Sequence, residues 1–186
     1  DRAALSRPDF SLADEDAATL ARICYRLDGI PLAIELAAAR LRTMTLAEID
    51  RGMDDRFGLL VTGSRVAAPR HKTLQATLEW SYALLTDDER ALFVQLAVFA
   101  GGGELAAVAG ICRLDDKQAS SLMSALADKS LIQLSGIVSE PRFSLLETLH
   151  QFARQKLDTG QQQSHLTMQH GEWYRRHIAA LAPQLH

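Results

Sequence analysis

The sequence predicts a mainly α protein: a helical lid unit, then a winged-helix unit with a small two-stranded wing, then a C-terminal helix. Three observations carry this. Ala and Leu dominate while Val, Ile and aromatic residues are sparse, which favours helix over sheet. Apolar residues recur at three- and four-residue spacing through most of the chain, the mark of amphipathic helices. Two short strand candidates flanking a Gly/Ser/Pro turn come after three consecutive helices, which is the order of a winged helix.

Element by element, Ser11-Leu12-Ala13-Asp14-Glu15-Asp16 puts a hydroxyl and three acids ahead of an apolar run, as a helix N-terminus requires. Leu20, Ile23, Cys24 and Leu27 form one face of that helix, and Gly29 fits the left-handed position that ends it. Pro31 has a fixed φ and no N–H, so it suits the first turn of a second helix running to about Arg42. Thr45 caps a third helix over Leu46–Ile49. A looser segment runs from Asp54 through Gly63-Ser64-Arg65 to Pro69-Arg70-His71-Lys72 and reads as the boundary between two units.

Thr73 to Leu85 places Leu74, Leu78, Tyr82 and Leu85 on one helical face. Thr86-Asp87-Asp88-Glu89 is a capping box opening a helix with Ala91, Leu92, Leu96 and Phe99 inward. Gly101-Gly102-Gly103 reads as a flexible break before a helix from Glu104 to Cys112. Asp115–Asp128 follows, with Leu122, Ala125 and Leu126 inward; then come strand candidates Leu131–Ser135 and Arg142–Leu146. Thr148–Leu157 adds a helix with Leu149, Phe152, Ala153 and Leu157 inward, and His165–Leu181 a last one around Met168, Trp173 and Ile178. The expected domains are residues 1–65, 66–158 and 159–186, the last a candidate start of a helical-repeat array.

Composition limits the function classes. With 186 residues, 47% hydrophobic and 23% charged, the chain has the balance of a folded soluble protein of one or two domains. A net charge of −3 gives no global field toward nucleic acid or anionic membrane. Cys24 and Cys112 make neither a disulfide framework nor a metal-ligand spacing, and a cytoplasmic location is expected. No apolar run approaches the roughly 20 residues of a membrane span. Asp1-Arg2-Ala3-Ala4 reads as mid-protein sequence, so the chain is expected to be a fragment.

No chemistry-bearing motif assembles a catalytic site. Gly-x-x-x-x-Gly-Lys-Ser/Thr, His-Glu-x-x-His and Gly-x-Ser-x-Gly are all absent, and the six histidines are scattered; no metal site and no enzyme are expected. The helix before the wing raises DNA binding, but Asp115, Asp116 and Asp128 outnumber Lys117 and Lys129 by one, and the wing offers only Arg142. Because phosphate neutralisation supplies most non-specific affinity, direct DNA contact is expected to rank below an intramolecular packing role. Glu35 reads as a wet or paired acid, since Arg42 stands seven residues on; Trp80 and Tyr82 read as core or interface. Arg70, His71 and Lys72 form a cationic cluster that is either a solvated linker or a phosphate or interdomain contact.

The stretch Leu27-Asp28-Gly29-Ile30-Pro31-Leu32-Ala33-Ile34-Glu35-Leu36-Ala37-Ala38-Ala39-Arg40-Leu41 closely resembles the Gly-Leu-Pro-Leu-Ala region of the NB-ARC/STAND signalling ATPases, above all the branch found in large bacterial transcriptional regulators of LuxR or SARP type. Asp55-Arg56-Phe57, Pro69–Leu74, Trp80-Ser81-Tyr82, Leu96–Gly102, Asp128–Leu131 and Leu145–Ala153 continue the series in order over residues 1–160. The resemblance implies a P-loop domain upstream, ATP or ADP with Mg bound there, and helical repeats downstream. It implies that Pro31 lies against adenine, with Leu32 and Gly29 shaping the corner, and that the winged helix is a nucleotide-state sensor rather than a DNA reader. The chain departs from the pattern at Leu145-Leu146-Glu147, where many relatives carry Met-His-Asp, so the phosphate-sensing histidine cannot be carried to Leu146. The alternatives are a free-standing winged-helix DNA-binding module and, third, a scaffold for protein partners built on the Trp173-Tyr174-Arg175-Arg176 helix.

Overall fold

A computed structural model describes residues 14–61, 69–136, 141–157 and 161–181. The chain divides into two compact units, residues 1–85 with 128–130, and residues 86–127 with 131–186. The expected mainly α architecture with a winged-helix unit is what the structure contains.

In the first unit, α1 (Asp14–Arg26), α2 (Pro31–Ala39), a 3-10 turn (Arg40–Arg42), α3 (Leu46–Val61) and α4 (Pro69–Ala83) surround one core. Ile23, Leu27, Ala33, Ala37, Leu41, Leu46, Ile49, Met53 and Trp80 are its buried members. Small residues permit the close packing: a Cβ at Gly52 would stand 3.2 Å from the indole nitrogen of Trp80. Thr45 and Glu48 cap α3 reciprocally, Glu48 N–H donating to Thr45 Oγ1 at 3.3 Å and Thr45 N–H to Glu48 Oε2 at 2.7 Å. The hydrogen bond from the Thr45 backbone holds the Glu48 carboxyl below its ordinary range. Asp50 anchors α1 to α3, accepting from Arg22 Nε at 2.8 Å and Arg26 Nη1 at 3.2 Å.

Three boundaries differ from the sequence reading. Helix α3 continues through Asp54–Val61, the stretch read as loose, because it contains no proline and the isolated Gly58 is tolerated within a helix. Helix α4 starts at Pro69, which is favourable at a first helical position. The units part at Leu85/Thr86 rather than at 65/66, since Trp80 of α4 is 1% exposed and completes the first core.

The second unit runs α5 (Asp87–Gln95), a 3-10 turn (Leu96–Val98), β1 (Gly103–Glu104), α6 (Leu105–Cys112), α7 (Asp116–Asp128), β2 (Gln133–Ser135), β3 (Arg142–Ser144), α8 (Glu147–Lys156) and α9 (Gln161–Leu181). Both halves of the Thr86/Glu89 capping box are formed. Phe93, Phe99, Ile111, Met123, Leu126, Phe143 and Phe152 are buried, with Phe99 edge-on to Phe143 at 5.2 Å between centroids. The sheet has three antiparallel strands in the order β1-β3-β2, one more than expected. Gly103 pairs with Phe143, and Leu134 with Phe143 on the other side.

The extra strand corrects the reading of Gly101–Gly103 as a flexible break. A Cβ on Gly102 (φ +123°) would lie 2.0 Å from the Phe143 carbonyl oxygen, and one on Gly103 would lie 2.9 Å from the Phe99 ring. These glycines permit close approach of backbone to backbone and of ring to backbone. Helix α9 also differs: Met168 and Ile178 are 56% and 65% exposed, and its inward side is Leu166, His170 and Trp173. Residues five apart do not share a helical face, whereas 166, 170 and 173 do. Ala91, expected inward, is exposed. Among the described residues no helix is long and apolar enough to cross a membrane, and no group of His, Cys, Asp or Glu could hold a metal ion.

Candidate nucleic-acid interface and the Gly-x-Pro corner

Two places in the fold gather the residues singled out by sequence. The first is the corner between α1 and α2. Asp28 (φ 51°) and Gly29 (φ 66°) are both left-handed, and Gly29 N–H bonds back to the Cys24 carbonyl at 3.3 Å, closing the end of α1. Ile30 is extended, and Pro31 opens α2 without a side-chain cap. The corner is tied to α4: the Thr73 hydroxyl donates to Asp28 Oδ2 at 2.6 Å. Gly29 and Pro31 are exposed and Leu32 half-buried. Chemically, Pro31 and Leu32 offer an apolar ring and an apolar side chain beside the bare backbone of Gly29.

Arg70, His71 and Lys72 lie in the first turn of α4, next to the Thr73 that meets the corner. Lys72 is half-buried, and the side chains of Arg70 and His71 lie outside the described residues. Leu146, the position of the departure, is the N-cap of α8 and 42% exposed. One turn on, His150 Nε2–H donates to the Ala97 carbonyl at 3.0 Å.

The second place is the outward side of α7 with the wing. Asp115 caps α7, its carboxylate accepting from Gln118 N–H at 2.8 Å. Lys117, Gln118, Ser120, Ser121 and Ser124 are exposed, while Ala119, Met123 and Leu126 are buried beneath them. On the wing, Arg142 Nη1 donates to Glu104 Oε1 at 2.9 Å, so β1 half-neutralises the wing's arginine. Between α7 and the strands lies a cavity of about 270 Å³ lined by Leu105, Ser120, Met123, Ser124, Leu134 and Phe143. The Glu104–Arg142 pair escaped sequence reasoning because its members are 38 residues apart; the only available signal was Glu104 directly after the glycine run.

Comparison with known proteins bears on this second place. Residues 85–158 match the winged helix-turn-helix domain family. Over 185 residues the chain is 44% identical to proteins of Mycobacterium tuberculosis (strain H37Rv) and Mycobacterium bovis provisionally named HTH-type transcriptional regulators, covering 97% of this chain and 21% of theirs. It is 38% identical over 183 residues to an uncharacterized protein of M. tuberculosis, covering 96% of this chain and 45% of that one. The chain therefore spans about a fifth of the length of the first relatives and under half of the second. The expectation that this unit stays off DNA finds no support in the family match.

Proposed function

We propose that this chain is the regulatory portion of a transcription regulator, and that its second unit meets DNA through α7 and the wing. The observation that carries this reading is the exposed polar side of α7, Lys117, Gln118, Ser120, Ser121 and Ser124, inside the segment that matches a winged helix-turn-helix domain. Amide and hydroxyl side chains at such positions can exchange hydrogen bonds with base edges in a major groove. The names of the mycobacterial relatives support the same role.

Electrostatics set the strength. Lys117 is the cation of that side, and Arg142 reaches phosphate only by leaving Glu104. Two neutralised phosphates give a salt slope of about −2, far shallower than that of a strong operator binder. The test is fluorescence anisotropy of a random duplex titrated with the chain across a salt series. Weak, salt-dependent binding that Lys117→Ala further weakens supports the proposal; absence of binding at low salt refutes it.

A second reading is favoured by the corner and by the ordered motif series of the first unit. In it, ATP or ADP with Mg sits on a P-loop domain of the same protein, Pro31 packs on adenine beside Leu32 and Gly29, and Arg70, His71 or Lys72 reaches phosphate or the adjoining domain. The nucleotide state then biases the position of the winged helix, a two-state switch. The exposure of Pro31 supports this, as does the Asp28–Thr73 tie that holds the corner rigid. A longer protein carrying both domains should lose ADP affinity several-fold on Pro31→Gly; unchanged affinity would sink this reading.

A further inference from the structure

Within the second unit, the turn Ala97–Ala100, α8 and α9 enclose a cavity of about 200 Å³ that belongs to neither place described above. Its polar lining is His150 and Arg154 from α8, with Gln163, Thr167 and His170 from α9. Among the described residues no carboxylate lines it, and no hydrogen bond or ion pair holds Arg154. Two imidazoles and a guanidinium, with no acid among the described lining residues, give the cavity a set of hydrogen-bond donors suited to an anion.

We propose that this cavity is a site for a small polyvalent oxyanion of the phosphate class. The Arg154 fork supplies two parallel N–H donors of the geometry such oxygens accept. His150 is oriented by its Nε2–H, which donates to the Ala97 carbonyl at 3.0 Å and so fixes the ring at the cavity wall. His170 stands edge-on to Phe99 at 5.2 Å, and burial disfavours its charged form. A bound anion reverses that preference. The volume corresponds to about seven waters, room for one phosphate group and part of its hydration but not for a nucleoside. Because the donors come from both α8 and α9, the anion would pin α9 onto the winged-helix unit.

Among the described residues, the titratable or charged groups that share the cavity lining with His170 are His150 and Arg154, and Tyr174 of its own helix lies 4.8 Å from the imidazole between ring centroids. Binding of an anion with pH-independent charge should therefore strengthen as pH falls through the histidine range. The test is calorimetric titration of the full chain at constant ionic strength, with sulfate as the pH-invariant probe and with inorganic phosphate and glycerol 3-phosphate in parallel. Saturable binding, tighter for sulfate at pH 6 than at pH 8 and weakened about tenfold or more by Arg154→Gln, is the expected result. Binding of inorganic phosphate points to the free ion as ligand; binding of the ester alone points to a phosphorylated metabolite or side chain. Arg154 is exposed, so its replacement should leave the fold intact. His170→Gln, with the fold checked by circular dichroism, gives a second reading by abolishing the pH dependence. No saturable binding at millimolar anion, or equal affinity in Arg154→Gln, overturns the proposal.

Discussion

Replacing Gly102 with alanine tests the close-approach account of the wing. The residue sits at φ +123°, outside the region where a Cβ is tolerated, and an alanine there costs about 1–3 kcal/mol in backbone strain alone. The new Cβ would also stand 2.0 Å from the Phe143 carbonyl oxygen, so β1 and β3 must separate by more than an ångström. That disrupts the Gly103–Phe143 and Glu104–Arg142 pairing, at about 0.5–1.5 kcal/mol for each hydrogen bond lost. The two contributions together come to about 2–6 kcal/mol, a large share of the roughly 5–15 kcal/mol that stabilises a typical domain. The two tryptophans provide the assay, since Trp80 lies in the first unit and Trp173 in the second. With each mutated to phenylalanine in turn, urea unfolding should show the Trp173 transition moving to lower denaturant while the Trp80 transition moves little. Gly171→Ala is the control: nothing lies within 4 Å of that Cβ, and the helix should gain about 0.5–1 kcal/mol. If Gly102→Ala leaves the Trp173 midpoint where it was, the glycine run is a flexible break after all.

Three further outcomes follow from single contacts. Asp50→Asn removes the charge held by Arg22 and Arg26 and should destabilise the first unit by about 2 kcal/mol, read from the Trp80 transition. His170 has its pKa lowered by burial beside Phe99, with His150, Arg154 and Tyr174 as the titratable or charged groups facing it. The unfolded chain then binds the proton more readily, so this contribution is intact above the ordinary histidine value and is lost as pH falls through the lowered one. Docking of α9, followed by Trp173 quenching in anion-free buffer, should weaken on acidification, and His170→Phe should flatten the profile. Burial pushes the Cys112 thiol up to about 12, which leaves roughly a thousandfold less thiolate at neutral pH than an ordinary thiol. Peptide mapping after iodoacetamide should find Cys112 labelled only when the second unit is unfolded.

What could be read from the sequence was local chemistry. The Thr86/Glu89 box, the Thr45 cap, the left-handed Gly29 and the N1 position of Pro31 all depend on residues within four of each other, and each formed. Contacts between distant segments could not be read that way. The glycine run looks like a linker until Phe143 is seen to pair against it, and α4 looks like the head of the winged helix until Trp80 fills the first core. The inward side of α9 went wrong because three apolar residues were joined at a spacing of five, when the docking residue one turn after Leu166 is a histidine. At the candidate sites the residue types were legible, but the pairing of Arg142 with Glu104 was not, and it changes how much charge the wing offers.

That pairing links the two functional readings. On the DNA reading, Lys117 and at most Arg142 are the cations that α7 and the wing bring to phosphate, so the contact made by the second unit alone would be weak. A weak contact becomes useful when the module is tethered to another DNA-binding element or to a second copy, because tethering raises its effective concentration to about the millimolar range for a short linker. A nucleotide switch that controls whether two copies associate would then control occupancy without touching the base contacts at all. The DNA reading therefore predicts that affinity rises steeply when the chain is artificially dimerised. A pure intramolecular packing role predicts no change, and the same anisotropy experiment on a leucine-zipper fusion separates them.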